Sequence, residues 1–174
     1  MGLSIAITGC IVVFAMVYAM MSFPAIVDST TKVSVSSAQM SNVLNSITHT
    51  NISIKNLVGT HDNNPDTFSV TNNGTTILWN YNKFDAIITY QADIVGNPTL
   101  TEVLQYASSC PSLAPDHWCI QSITDDLAHP GILDHGETAN IQAKLQNNGT
   151  AGGILTLNFG TDNGVLATDS VRIS

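Results

Sequence analysis

The chain has 174 residues, of which 44% are hydrophobic and only 10% charged, and its net charge is −8. An ordinary soluble domain carries roughly 25% charged residues, so a simple cytosolic globule is a poor starting expectation. So acidic a chain, with five Lys and Arg in all, would be repelled by nucleic-acid backbones and by anionic lipid surfaces.

The first element in chain order is apolar. No charged side chain occurs from Leu3 to Val27, and at about 1.5 Å per residue that stretch is long enough to cross a hydrocarbon core of about 30 Å. A secretory signal would begin with basic residues, have an apolar centre of about 7–15 residues and end on a small-x-small cleavage site. Here Met1-Gly2-Leu3 supplies no base, the run is longer and no A-x-A pattern closes it. Residues 1–27 are therefore expected to form an uncleaved transmembrane anchor helix. Myristoylation of Gly2 is discarded, because Ala6 stands where that motif wants Ser or Thr.

Next come Ile26, Val33, Met40 and Ile47, spaced by seven, with Thr30, Ser37 and Leu44 four positions after the first three. One seam position is filled and the other mostly polar, which gives a helix with a narrow apolar stripe. With no Pro or Gly between residues 25 and 58, a helical stalk is expected over 28–50, packing on a copy of itself or on the following domain.

From residue 51 the period changes from helical to alternating, and residues 51–174 carry four bases against twelve acids, the whole of the −8. Ile52, Ile54 and Leu57 begin one strand and Phe68 and Val70 lie on the next. Asn72-Asn73-Gly74 predicts a hairpin turn into a strand over Thr75–Trp79, because Asn-Gly adopts positive φ at low cost. Further strands are expected at Asp85–Tyr90, Thr138–Leu145, Ile154–Phe159 and Val165–Ile173, the last two separated by Asp162-Asn163-Gly164. The segment 96–136, with four prolines, reads as irregular. Seven or so short strands over about 120 residues predict one antiparallel β-sandwich of immunoglobulin-like type, so the fold class is mainly β behind an N-terminal helix.

Cys110 and Cys119 are expected to form a disulfide, a pairing that persists in oxidising surroundings. Asn51-Ile-Ser, Asn73-Gly-Thr and Asn148-Gly-Thr are N-glycosylation sequons. With the anchor, these features place the domain 51–174 outside the cell. Cys10 lies in the apolar span as a packing or lipid-facing residue. Asp116, His117, His129, Asp134, His135 and Glu137 carry metal-ligand chemistry, but their spacing fits no metal motif, and no metal or other cofactor is expected. Trp79 and Trp118 offer a sugar platform less readily than core or edge packing. His49 and His61 are isolated, and no G-x-S-x-G elbow, P-loop or dinucleotide fingerprint occurs; no catalytic residues are assigned and no enzyme is expected.

The opening Met-Gly-Leu-Ser-Ile-Ala-Ile, the segment from Phe68 to Trp79 leading to Phe84–Tyr90, and His135-Gly-Glu-Thr-Ala-Asn-Ile141 with Asn163-Gly-Val165 resemble the archaellum accessory proteins F and G. These are pilin-like membrane proteins of the archaeal flagellum. The resemblance implies a stationary, stator-like part of the motor whose sandwich binds the surface-layer protein or another accessory subunit, with self-association through the stalk or sandwich. The alternative is a filament subunit of archaellin or pilin type; only Met1 precedes Gly2, where pilin signals carry Lys or Arg, and neither Ala6 nor Ile7 is acidic, which counts against it. A metal- or glycan-binding extracellular module is the third reading.

Overall fold

The computed structural model describes residues 2–62, 65–126 and 128–174; within the N-terminal helix, side chains are described at 8–21, 28, 31, 32 and from 34 onward. The chain divides into two compact units, Met1–Leu44 and Asn45–Ser174.

The first unit is carried by helix α1, Gly2–His49, 48 residues long. It runs without interruption through the seven-residue repeat, as the absence of Gly and Pro between residues 25 and 58 allows. Lys32 and Asp28, one turn apart, form an exposed ion pair at 2.8 Å. Met40 and Leu44 of the apolar stripe are exposed, while the side chains of Ile26, Thr30 and Val33 lie outside the described residues. The expected transmembrane anchor falls partly outside them too, since side chains at 1–7 and 22–27 are not described. Among the described residues no helix is long and apolar enough to cross a membrane.

The second unit contains the last helical turn and eight strands: β1 Ile52–Val58, β2 Asp66–Asn72, β3 Asp85–Gln91, β4 Thr99–Tyr106, β5 His117–Thr124, β6 Thr138–Lys144, β7 Ile154–Gly160 and β8 Leu166–Arg172. A short 3-10 helix, η1, spans Tyr81–Lys83. The strand order is β1-β2-β6-β5-β4-β3-β7-β8. Every pairing is antiparallel except β4 with β5, which meet in parallel over only Gln105–Tyr106 and His117–Trp118. That short join links two four-stranded sheets. At the opposite margin Ser174 N donates to Gly59 O and His61 N donates to Ser174 O, tying the C-terminus to the end of β1 and making the sandwich barrel-like.

Alternation in the sequence sets the two faces of each strand. β6 buries Ala139, Ile141 and Ala143 and turns Asn140, Gln142 and Lys144 outward; β3 buries Ala86, Ile88 and Tyr90. Between the sheets an aromatic group joins Phe68, Phe84, Phe159, Trp118 and Tyr106, with Trp118 and Phe159 meeting edge-to-face at 5.2 Å between centroids. Burying these large side chains is the main source of the domain's stability.

Two expectations are corrected. Residues 75–79 form no strand and no hairpin with β2, because β2 already pairs with β1 on one edge and β6 on the other; Leu78 makes only a single bridge, to Leu133. The stretch 96–136 is not irregular throughout, since it contains β4 and β5. A bulge between Ile120 and Ser122 breaks the period-two pattern of β5, which is why its alternation is hard to see.

Candidate functional site

The clearest built feature of the sandwich unit is its grip on the last helical turn. A helix end leaves four backbone carbonyls without partners. Here Ser46 O lies within reach of the hydroxyls of Thr50 (2.9 Å) and Thr76 (3.4 Å) and of Asn163 Nδ2 (3.4 Å). His49 O accepts from the backbone N–H groups of Thr75 and Thr76 at 2.8 and 3.1 Å, and Asn51 O accepts those of Asn73 and Gly74 at 2.7 and 3.0 Å. Asn163 Nδ2 also reaches Ser46 Oγ at 3.0 Å and Thr50 Oγ1 at 2.6 Å. A Cβ on Gly74 would collide with the backbone at His49 and Asn51, so only glycine permits this approach.

Asn72 is what bends the chain into that position. Fully buried, its Nδ2 donates to Thr76 O and Leu133 O at 2.9 and 3.0 Å, and its Oδ1 accepts Gly74 N–H at 3.0 Å. The Asn-Asn-Gly sequence that reads as a hairpin turn is therefore a socket for the helix end.

The outer faces of both sheets are rich in hydroxyl and amide side chains, with Lys55 and Lys144 on the β1-β2-β6-β5 face and Asp85 and Arg172 at strand ends of the other. Across β4-β3-β7-β8, Thr101, Thr89, Thr156 and Ser170 stand in one row, with Thr89–Thr101 and Thr156–Ser170 oxygens each 2.9 Å apart. Across β5-β6-β2-β1 the matching row is Thr124, Thr138, Thr71 and Ser53. The next row passes from Ser122 through Asn140 to Ser69 by hydrogen bonds of 3.1 and 3.0 Å. These rows form from residues far apart in the chain, so no local motif announces them. Within the second set of rows Ser69 and Thr71 are buried, so these hydroxyls serve cross-strand hydrogen bonding.

Cys110 and Cys119 are joined by a disulfide, with Cα atoms 5.5 Å apart; Cys10 is free and exposed. Of the titratable residues of the 116–137 segment, His129, Asp134 and Glu137 are neighbours, while His117 and His135 hydrogen-bond elsewhere. His117 Nδ1 lies 2.7 Å from Pro115 O, His135 Nδ1 lies 2.8 Å from Gly74 O, and Glu137 Oε2 accepts Asp134 N–H. His129 Nδ1 meets Asp134 Oδ2 at 2.8 Å, and this hydrogen bond raises the pKa of the exposed imidazole. Among the described residues no group of three or more such side chains is placed to hold a metal ion. Trp118 is buried in the core and Trp79 is exposed; His49 Nδ1 lies 3.2 Å from Thr75 Oγ1, and exposed His61 hydrogen-bonds through Nδ1 with Ser174 O at 2.9 Å.

Asp66 is the buried ionisable group that sequence reading misses. It opens β2, accepts Thr60 N–H at 2.8 Å and lies 3.3 Å from the Thr60 hydroxyl, beside a small polar cleft that Lys144 and Asn148 also line. Burial pushes its carboxyl up to about 6 against the opposing hydrogen bonds from Thr60.

Hydroxyl-rich sheet faces around an aromatic core, in two four-stranded sheets joined at β4–β5, define an immunoglobulin-like sandwich domain. Residues 48–163 match the family described as conserved flagellar protein F, immunoglobulin-like domain, and the chain belongs to that family, an archaellum accessory protein. A search of curated proteins finds no match. Among solved structures, the archaellum periplasmic stator protein FlaG from Sulfolobus acidocaldarius is similar at 18% identity and a TM-score of 0.49, covering 70% of this chain and 99% of that one. The stator complex of FlaF and FlaG from the same organism is similar at 17% identity and a TM-score of 0.50, covering 69% and 87%. The archaeal flagellin FlaB1 from Methanocaldococcus jannaschii is similar at 12% identity and a TM-score of 0.52, covering 71% and 90%.

Proposed function

We propose that the chain is a stator-like component of the archaellum motor, anchored in the cell membrane by residues 1–27, with a stalk over 28–50 and a sandwich domain over 51–174 outside the cell. The sandwich binds the surface-layer protein or another accessory subunit through its hydroxyl- and amide-rich faces. The observation that carries the reading is the family match over residues 48–163, which spans almost the whole sandwich. The uncharged run Leu3–Val27 supports the anchor, and the hydroxyl rows of both sheets support a protein-binding rather than a catalytic surface.

The test is affinity purification of the full chain from detergent-solubilised membranes of its host, combined with deletion of its gene. Recovery of a motor subunit or the surface-layer protein, with loss of swimming on deletion, is the expected result. Intact swimming, with neither partner recovered, overturns the reading. Finding the chain as the bulk component of sheared filaments replaces it with a filament subunit.

A further inference from the structure

The three sequons are equal in the sequence and unequal in the fold. Asn51 is exposed, and among the described residues no hydrogen bond holds its side chain. Its backbone, by contrast, is fixed, since Asn51 O accepts two N–H groups from the 73–74 turn. The Asn51 carboxamide is thus open to solvent, and Ser53, whose hydroxyl completes the sequon, is half-buried on β1 rather than enclosed as Thr150 Oγ1 is. Asn73 is exposed as well, but its Nδ2 donates to Ser53 Oγ at 2.9 Å, and Gly74 behind it is packed against the backbone of residues 49–51. Asn148 is half-buried. The hydroxyl of its sequon, Thr150 Oγ1, is buried without a partner, and a Cβ at the intervening Gly149 would lie 2.6 Å from Ile173. An enzyme that reads the hydroxyl two residues after the Asn cannot reach Thr150 without opening the domain.

We propose that Asn51 is the preferred N-glycan acceptor of the folded chain, that Asn73 is a poor one and that Asn148 is closed. The donor is a polyprenyl-phosphate-linked oligosaccharide and the catalyst a membrane oligosaccharyltransferase. A bond forms between Asn51 Nδ2 and the anomeric carbon, the bond from that carbon to the phosphate oxygen breaks, and the lipid phosphate leaves with the electron pair while Nδ2 gives a proton to the enzyme's base. Because Asn73 and Asn51 share Ser53, the two sites interlock: the Asn73 carboxamide is parked on the hydroxyl that specifies Asn51. In the cell this modification rests on the external placement of the sandwich proposed above.

The experiment uses the full chain in detergent, folded or unfolded in urea and diluted just before reaction, with purified archaeal oligosaccharyltransferase and lipid-linked oligosaccharide. Intact glycopeptides are then quantified by mass spectrometry. For the folded chain, Asn51 should be modified in about two- to tenfold excess over Asn73, the factor set by breaking one hydrogen bond, and Asn148 should stay unmodified; unfolding should even out the three. Ser53→Ala should abolish transfer to Asn51 and raise it at Asn73. Equal use of the three sites in the folded chain, preference for Asn148, or no transfer in either state overturns the proposal. Protease accessibility of the sandwich in whole cells, measured in parallel, tests the external placement separately, so that failure of localisation is not mistaken for failure of site choice.

Discussion

Asn163, in the turn between β7 and β8, donates its carboxamide N–H to the hydroxyl of Thr50 at 2.6 Å across 113 residues of sequence. Thr50 is buried and is the first residue after α1, so this bond joins the β7–β8 turn to the point where the helix stops. Thr161 Oγ1, 2.5 Å from Asn163 Oδ1, fixes which way the amide faces.

Replacing Asn163 with Ala should leave Thr50 and Ser46 short of a donor in a partly buried site. The expected loss is about 1–2 kcal/mol, seen as a fall of several degrees in Tm by circular dichroism in detergent. Amide exchange over residues 45–51 should accelerate more than exchange in β3 or β6. Unchanged protection at 45–51 would show that the turn merely touches the helix end.

Gly74→Ala is predicted to be more damaging than its small volume suggests. The added methyl meets backbone, which cannot swing aside as a flexible side chain would. The socket must therefore open, with the loss of the Gly74 N–H bonds to Asn51 O and Asn72 Oδ1 and exposure of the Asn72 carboxamide. A destabilisation above about 2 kcal/mol is expected, measured by urea unfolding. Gly164→Ala makes the control, because it has open space around it and a positive φ of 85°, so it reports backbone strain without collision.

What was legible in the sequence depended on distance. Strand β6 could be read because Ala139, Ile141 and Ala143 alternate with polar neighbours, a signal contained in seven residues. The run Ile154–Phe159 and the Asp162-Asn163-Gly164 turn gave the β7–β8 hairpin for the same reason. Asn72-Asn73-Gly74 misled because the partner of the turn is the helix end rather than the next strand, and nothing near position 74 encodes that. The hydroxyl rows stayed hidden because Thr71 finds Thr138 and Ser69 finds Asn140 only through the register of β2 on β6. Asp66 has no local pattern that marks it, and only the fold encloses it.

The Cys110–Cys119 bond should matter for stability and little for shape. It closes a loop with a sequence separation of 9, for which restriction of the unfolded chain gives about 2–3 kcal/mol. Cys110→Ser, at a half-buried position, is expected to lower the unfolding free energy from urea titration by that amount while the far-ultraviolet spectrum is retained. Treatment of the parent with dithiothreitol should give the same shift, and no shift in either would mean that the loop is held by its other contacts, such as Leu113 N–H to Cys110 O.

Asp66 should make the domain more stable in mild acid than at neutrality. Its carboxyl titrates near 3.8 when unfolded and about 6 when folded, chiefly because burial disfavours the charge, with Glu102 adding repulsion. Between those values the folded state binds more protons than the unfolded one, so stability falls as pH rises through that window. The contribution is fully present below about pH 3.8 and is lost by pH 7, a difference of about 3 kcal/mol at 1.36 kcal/mol per pH unit. Asp66→Asn keeps an oxygen to accept Thr60 N–H and cannot ionise. Its urea midpoint should exceed that of the parent at pH 7, match it near pH 4 and vary little between. If the variant shows the parent's slope from pH 4 to 7, the pH dependence arises elsewhere and the ionisation of Asp66 is not coupled to folding.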